Sequence, residues 1–430
     1  MKVFIFLMLS LISFKIYALT LEEAVNLALK NNPQIQIYEK NTQISKLNLK
    51  IDRQLFLPQF FIQYSHTWLS QTPYLNIPPN PPLPPISFKQ MEKSFNNFEF
   101  GFNYLFYAGG KRHAKLKIDK IDIKASFEKL SEQKKQIVTK VKKAYVQTLK
   151  AKAIIKIYEK QLEAVRAHYQ TVKGFYEEGY VSYVELLQAR VKISETKKNL
   201  KSAKESFSLS KAYLLTVLGQ SPYEDVKLEN IDITPKITFN LRFLQKKALK
   251  NRNILRFAQY QKKKLKQLEK IEKADFLPQL FSQGKLIYTD QIDYLDPKAN
   301  FSLTLGIKLS VQGVQPYYKM LKTKLEEKKA ELQIKDLKNK ILLQVQNAYQ
   351  KFITAKENLL VSKIMLNQAE EYYKLVVEQY KNQLATTTDV LNAQAQLTTA
   401  RQGKEISYYQ LLEAIFELEN ATGTKLIGGI

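Results

Sequence analysis

The chain repeats itself over roughly half its length, and that duplication constrains the fold more than any other feature. Phe56-Leu57-Pro58-Gln59 returns as Phe276-Leu277-Pro278-Gln279, and Ala28-Leu29-Lys30-Asn31 returns as Ala248-Leu249-Lys250-Asn251, both shifted by 220 positions. Further along the shift is 204: Tyr176 falls on Tyr380, Leu187 on Leu391, Ala189 on Ala393, Leu214 on Leu418 and Gly219 on Gly423. The first copy therefore carries 16 extra residues between Gln59 and Tyr176. A period this long is a whole structural unit, which excludes a short-period solenoid. The repeats span 19–219 and 239–423, with a connector at 220–238 and a tail at 424–430.

Each repeat is predicted to run helix, strand, strand, long helix, tip, returning helix. The first helix covers about 21–53, with Leu21, Ala24, Val25, Ala28 and Leu29 on one face. Asn31-Asn32-Pro33 places a kink early in it, and Leu57-Pro58 ends it. The strands are expected at about 57–68 and 98–107, then 277–289 and 301–311. Phe98, Phe100, Phe102, Tyr104 and Phe106 share one face of the second strand, against Glu99, Gly101 and Asn103. In the fourth strand Phe301, Leu303, Leu305, Ile307, Leu309 and Val311 alternate with Ser302, Thr304, Gly306, Lys308 and Ser310. The strand 60–68 alternates acceptably, and 280–289 hardly does.

An ordinary half-buried sheet alternates in the same way. Two features favour a bilayer: the strands have the length of a tilted membrane strand, and the apolar face at 98–106 is almost wholly aromatic. Phe98, Phe100, Phe102, Tyr104, Phe301, Leu303, Leu305 and Ile307 are the candidate lipid-facing residues. The segment 69–97 reads as a long outer loop containing Pro78-Pro79-Asn80-Pro81-Pro82-Leu83-Pro84-Pro85 and most of the insertion. Four strands cannot close a barrel, since bacterial membrane barrels have at least about eight. Open edges in lipid leave backbone groups unpaired, so spanning strands require several chains in one barrel.

The helices are too long for a globular core. No proline or glycine occurs in 111–173, and 317–380 behaves alike. Returning helices at 183–218 and 387–422, rich in Ala, Leu, Gln and Lys, complete two helical hairpins. Their tips lie at 176–183 and 380–387. Gly179 supplies a C-cap, Ser182-Tyr-Val-Glu185 a capping box, and Thr386-Thr-Thr-Asp389 a weaker box with Asp in place of Glu.

Met1-Lys2, the apolar run 3–14 and Ala18 read as a secretory signal peptide over residues 1–18, with Ile16 making an imperfect cleavage site. The chain has no cysteine, hence no disulfide and no acylated N-terminal cysteine. Lys and Arg number 67 against 40 Asp and Glu, a net charge of +27. Export and the absence of a binding motif argue against nucleic acid, leaving solvated lysine-rich helix faces as the plain reading.

Catalysis is not expected. His66, His113 and His168 have no companion acid or nucleophile at a recognisable spacing. Gly109-Gly110-Lys111 resembles a phosphate loop, but Arg112 stands where Ser or Thr is required. No cofactor or metal site is expected either.

The chain resembles the TolC-like outer-membrane efflux proteins (outer membrane factors) over essentially all of its mature length. The resemblance rests on both Leu-Pro-Gln motifs and on Tyr107-Ala108-Gly109-Gly110-Lys111-Arg112. It also rests on the tips Tyr176-Glu-Glu-Gly179 with Val184-Glu185-Leu186-Leu187-Gln188-Ala189, and Thr388-Asp389-Val390-Leu391-Asn392-Ala393. It implies a homotrimer whose four strands per chain form one 12-stranded outer-membrane barrel, continued by a helical coiled-coil barrel in the periplasm. It further implies a passive exit duct of a tripartite efflux or type I secretion system, working with a periplasmic adaptor and an inner-membrane pump of RND or ABC type. The resemblance places a gate at Asp389, Asn392, Tyr380 and its acidic partner Glu185. It places adaptor contacts at Gly179, Tyr180, Val181 and Ser182, and at Gln383, Leu384, Ala385 and Thr386. Asn392 stands where the family often has an acid, Ala385 where it has arginine, and Gln383 where it has glycine. The alternative from another class is a secreted coiled-coil structural or adhesive protein, which needs no paired alternating strands.

Overall fold

The computed structural model describes residues 18–78, 84–231, 239–310 and 313–426. Residues 1–17 of the expected signal peptide, Val311, and parts of the proline-rich loop, connector and tail lie outside the described residues. The first repeat contains α1 (Leu21–Asn31), α2 (Pro33–Arg53), β1 (Gln59–Trp68), β2 (Tyr74–Ile77), β3 (Ile86–Lys89), β4 (Ser94–Ala108), α3 (Lys111–Glu177) and α4 (Tyr183–Leu218). The second contains α5 (Leu241–Asn251), α6 (Asn253–Ala274), β5 (Gln279–Thr289), β6 (Ala299–Lys308), α7 (Gln315–Lys381) and α8 (Thr387–Thr422). Apart from β2 and β3, the duplication holds element by element: α3 and α7 each have 67 residues, α4 and α8 each 36. Among the described residues no helix is long and apolar enough to cross a membrane.

Two units emerge. One comprises Met1–Lys40, Glu128–Leu255 and Asp336–Ile430; the other comprises Asn41–Phe127 and Arg256–Lys335. In the first, a core joins Leu21, Ala24 and Ala28 of α1 to Val141, Tyr145 and Leu149 of α3, Leu214 and Leu218 of α4, and Leu412 and Phe416 of α8. Tyr145 is fully buried, and its hydroxyl donates towards Leu19 O (2.7 Å) and Glu229 O (2.8 Å), tying the connector to the helices.

The break between α1 and α2 falls at Asn32, whose backbone is extended (ψ 122°) and whose Nδ2 donates to Val217 O at 2.7 Å. Arg252 occupies the same place in the second repeat, with ψ 113° and a bond from Nη1 to Ala421 O at 3.2 Å. The glycines that end α4 and α8 are constrained by the same junction. Gly219 (φ +77°) and Gly423 (φ +68°) are left-handed, and a Cβ on Gly219 would lie 2.6 Å from Asn31 O.

The second unit holds a four-stranded antiparallel sheet in the order β1-β4-β5-β6. β4 begins at Ser94, four residues before the expected start, and β6 ends at Lys308, so Leu309 lies outside it. A bulge between Leu105 and Tyr107 leaves Phe106 unpaired and sets Tyr107 opposite Leu280. This corrects the uniform alternation expected through Phe106. The segment expected to be a loop contains the two-stranded hairpin β2–β3, pairing Leu75 with Phe88 and Ile77 with Ile86. The β1–β4 connection runs 69–93 and the β5–β6 connection only 290–298, which accounts for the insertion.

Candidate channel surfaces and gate

Register, rather than strand pattern alone, assembles the lipid-facing candidates. Phe60, Ile62 and Tyr64 of β1 pair with Phe102, Phe100 and Phe98 of β4. These pair in turn with Gly284, Leu286 and Tyr288 of β5, while Tyr104 pairs with Ser282. On β6, Ile307, Leu305, Leu303 and Phe301 oppose Leu280, Ser282, Gly284 and Leu286. All therefore lie on one face. That face is exposed: Leu305 is 70% accessible and Ile307 73%. The opposite face carries Gln63, Asn103, Gln283 and Thr304, with Lys285 bridging Glu99 at 2.8 Å.

The poor alternation of β5 has a packing explanation. The Phe102 ring lies where a Cβ on Gly284 would be, at 2.3 Å, so a neighbouring strand supplies the apolar cover that β5 lacks. Phe61 covers Gly101 and Phe281 covers Gly306 on the other face in the same manner. Aromatic rings laid over cross-strand glycines fill the sheet without period-two patterning.

The two hairpin tips share one backbone. Gly179 (φ +79°) and Gln383 (φ +59°) are both left-handed. Tyr180 N donates to Phe175 O and Leu384 N to Gln379 O, each at 2.8 Å, the outer bond of a Schellman turn. Gln383 accepts a conformation that favours glycine, at a cost of roughly 1–2 kcal/mol. Tyr180 and Leu384 project outward, 61% and 77% exposed, while Val181 and Ala385 pack inward.

The caps differ from expectation. Thr386 and Asp389 form the complete box: Thr386 N donates to Asp389 Oδ2 (2.8 Å) and Asp389 N donates to Thr386 Oγ1 (3.2 Å). At the first tip only Glu185 N reaches Ser182 Oγ, at 3.4 Å, and the reciprocal bond is missing. The box read as the weaker is the stronger one, because the short Asp side chain turns back onto its cap. The Thr386 hydroxyl and backbone hold the exposed Asp389 carboxyl below the usual carboxylate range. Asn392 is exposed one turn further on.

Tyr380 is buried (4% exposed) among Val172, Ala189, Val376, Val390 and Ala393. Its hydroxyl pairs with Thr387 Oγ1 at 3.1 Å, where the family resemblance placed Glu185 as partner. Its ring packs against His168 (5.0 Å) and Phe175 (5.7 Å). Burial pushes the Tyr380 hydroxyl up and drives His168 down to about 4, with the Glu185 charge a secondary influence on both. His168 and Phe175 were not legible as tip residues, because an isolated aromatic on a 67-residue helix carries no positional signal. Thr388 Oγ1 meets Gln188 Oε1 at 3.3 Å and links α8 to α4.

Known proteins share this fold. Residues 24–220 match the family described as outer membrane efflux protein. No curated protein matches the sequence. Among solved structures, the outer membrane protein VceC of Vibrio cholerae is similar, with 16% identity, TM-score 0.75, and coverage of 95% of this chain and 97% of that one. The CmeC outer membrane channel of Campylobacter jejuni is similar at 18% identity and TM-score 0.75, covering 94% and 85%. The MtrE outer membrane channel of Neisseria gonorrhoeae, in its open state, is similar at 16% and 0.74, covering 94% and 89%. By sequence across its first repeat the chain matches the outer membrane efflux protein family, and across both repeats it shares the fold of outer-membrane channels.

Proposed function

We propose that three copies of this chain form an outer-membrane channel, the passive exit duct of a tripartite efflux or type I secretion system. The observation that carries this reading is the sheet: a continuous exposed apolar face, a mostly polar reverse face, and edges at β1 and β6 that are unpaired among the described residues. In lipid each unpaired backbone group costs several kcal/mol, so the edges require partners, and the β6 edge of one chain completes the β1 edge of the next. Three sets of four strands close a barrel of the size bacterial membranes use. The helical part then lies in the periplasm. An adaptor contacts Gly179–Ser182 and Gln383–Thr386, and an inner-membrane pump of RND or ABC type supplies the energy. Crosslinking in detergent tests the assembly. Saturation at three chains supports it; a detergent-free monomer that retains its sheet overturns it.

In this duct Asp389 and Asn392 line the constriction, with Tyr380 and Glu185 behind it. A second reading of Asp389 has its own support, since its bonds to Thr386 make it a helix cap. Asp389→Asn in planar bilayers separates the two. Reduced cation selectivity with intact trimers favours the gate, whereas unchanged selectivity with a lower melting temperature leaves only the cap.

A further inference from the structure

A cavity of about 270 Å³ lies where the sheet gives way to helix, lined among others by Gly110, His113 and Lys117 from the β4–α3 junction and by Lys270, Lys273 and Leu277 from the end of α6 and the approach to β5. None of the described residues lining it is a carboxylate. Two neighbouring acids are already engaged, Glu269 by Lys273 (3.0 Å) and Asp275 by Lys111 (3.1 Å). The buried Gln267 Oε1 on the cavity wall has no hydrogen-bond donor among the described residues.

The cavity belongs to a wider charge pattern. The helical segments of this unit, 41–56, 111–127, 256–275 and 315–335, hold 22 Lys and Arg against nine Asp and Glu. For the whole chain the totals are 67 and 40, so the excess is concentrated beside the strands. Between the strands and this collar stand exposed apolar side chains: Leu57 at 56%, Tyr107 at 43% and Phe276 at 49%. Apolar strand face, aromatic fringe and then lysine is the order in which a membrane presents hydrocarbon, interface and headgroup phosphates.

We propose that this cavity binds the phosphate of an anionic phospholipid in the periplasmic leaflet, with Lys117, Lys270 and Lys273 as its cationic walls. The start of α3 at Lys111 adds the positive end of a helix dipole. A headgroup hydroxyl, as in phosphatidylglycerol, supplies the donor that Gln267 lacks. The lysine excess then has a local cause, since a basic collar at the headgroup level fixes how deep the sheet sits. The proposal rests on the outer-membrane reading above.

Full-length protein, delipidated in neutral detergent, is titrated with phosphatidylglycerol and with phosphatidylcholine and followed by native mass spectrometry. The cavity variant Lys117→Gln/Lys270→Gln/Lys273→Gln is compared with a control of equal charge change on α4, Lys197→Gln/Lys198→Gln/Lys201→Gln. The expected result is a phosphatidylglycerol preference that falls roughly tenfold or more in the cavity variant and stays in the control. Equal loss in both variants, or no preference in the parent, overturns the site. Displacement of phosphatidylglycerol by millimolar inorganic phosphate at parity shows a free-anion pocket and also overturns it. A protein that binds no detergent and stays soluble refutes the outer-membrane reading itself, a result distinct from trimers in detergent without lipid preference.

Discussion

Asn32 and Arg252 sit at the same break in the two repeats and reach the same helix-end carbonyl, yet their surroundings differ. Asn32 is neutral: it donates to Val217 O and accepts from Gln34 N at 2.9 Å, closing its needs locally. Arg252 brings a charge into the interior, 8% exposed, and requires Glu132 of α3 at 3.0 Å and Gln344 of α7 at 3.2 Å. The position matching Glu132 in α7 is Asp336, which is exposed and pairs with Lys340 instead. Duplication has preserved the backbone problem, an extended residue against the end of a returning helix. It has not preserved the side chain that answers it, because each repeat packs against different neighbours.

The sharpest way to break this comparison is to empty both sites. Arg252→Ala strands a buried Glu132 and should cost about 3–5 kcal/mol in denaturant titrations in detergent. Asn32→Ala should cost about 1–3 kcal/mol. A double variant with Glu132→Leu and Arg252→Met should recover most of the larger loss, and failure to recover would mean the pair does more than neutralise itself.

The sheets of the two repeats should behave alike where the tips do not. Phe102→Arg in the first and Leu305→Arg in the second each place a charge on the apolar face, at about 2–4 kcal/mol near the bilayer midplane. Asn103→Arg and Thr304→Arg, on the opposite face, should still yield trimers by crosslinking. Equal tolerance on both faces would remove the lipid assignment.

The helix-end glycines refine the picture. Gly219→Ala and Gly423→Ala both strain a left-handed residue by roughly 1–2 kcal/mol. Gly219→Ala should be the worse, since its new Cβ meets Asn31 O at 2.6 Å, against 3.1 Å from Asn251 O for Gly423. At the tips Gln383→Gly should stabilise by about 1 kcal/mol and Gly179→Gln should destabilise by as much. Calorimetry that finds both neutral would show the tip backbone relaxes.

The smallest effect is a slope. His168 is held neutral by burial, with its pKa lowered to about 4 from an ordinary 6.5. Below 6.5 the unfolded chain binds a proton that the folded chain refuses, so stability is full above that pH and declines as pH falls towards about 4. His168→Leu should flatten melting temperature against pH in this window. Tyr372, its counterpart in the second repeat, is 44% exposed, and Tyr372→Leu should leave the slope in place.

Much of this was legible in the residues. The shifts of 220 and 204 positions are realised in helices of matching bounds, and strict alternation at 301–307 marks β6, because both signals are local and periodic. The pair β2–β3 was not legible because four-residue strands flanking a proline-rich stretch of sequence carry too little period to register. The tip departures at Gln383 and Asn392 were visible in sequence, but their consequences were not.

What the residues determined alone was therefore the repeat, the helix lengths and the apolar strand face. Each follows from backbone propensity and spacing within one segment. The tertiary structure decided everything that depends on a neighbour. Gly284 is covered by Phe102 from another strand, and the bulge at Phe106 moves Tyr107 into register with Leu280, onto the face Leu280 shares. Tyr176 and Tyr380 hold equivalent positions, yet Tyr176 is 40% exposed beside Tyr183 while Tyr380 is buried against His168. Their helical register is the same, and only the packing partner differs. Sequence period encodes which way a side chain points, and the rest of the chain decides what it meets there.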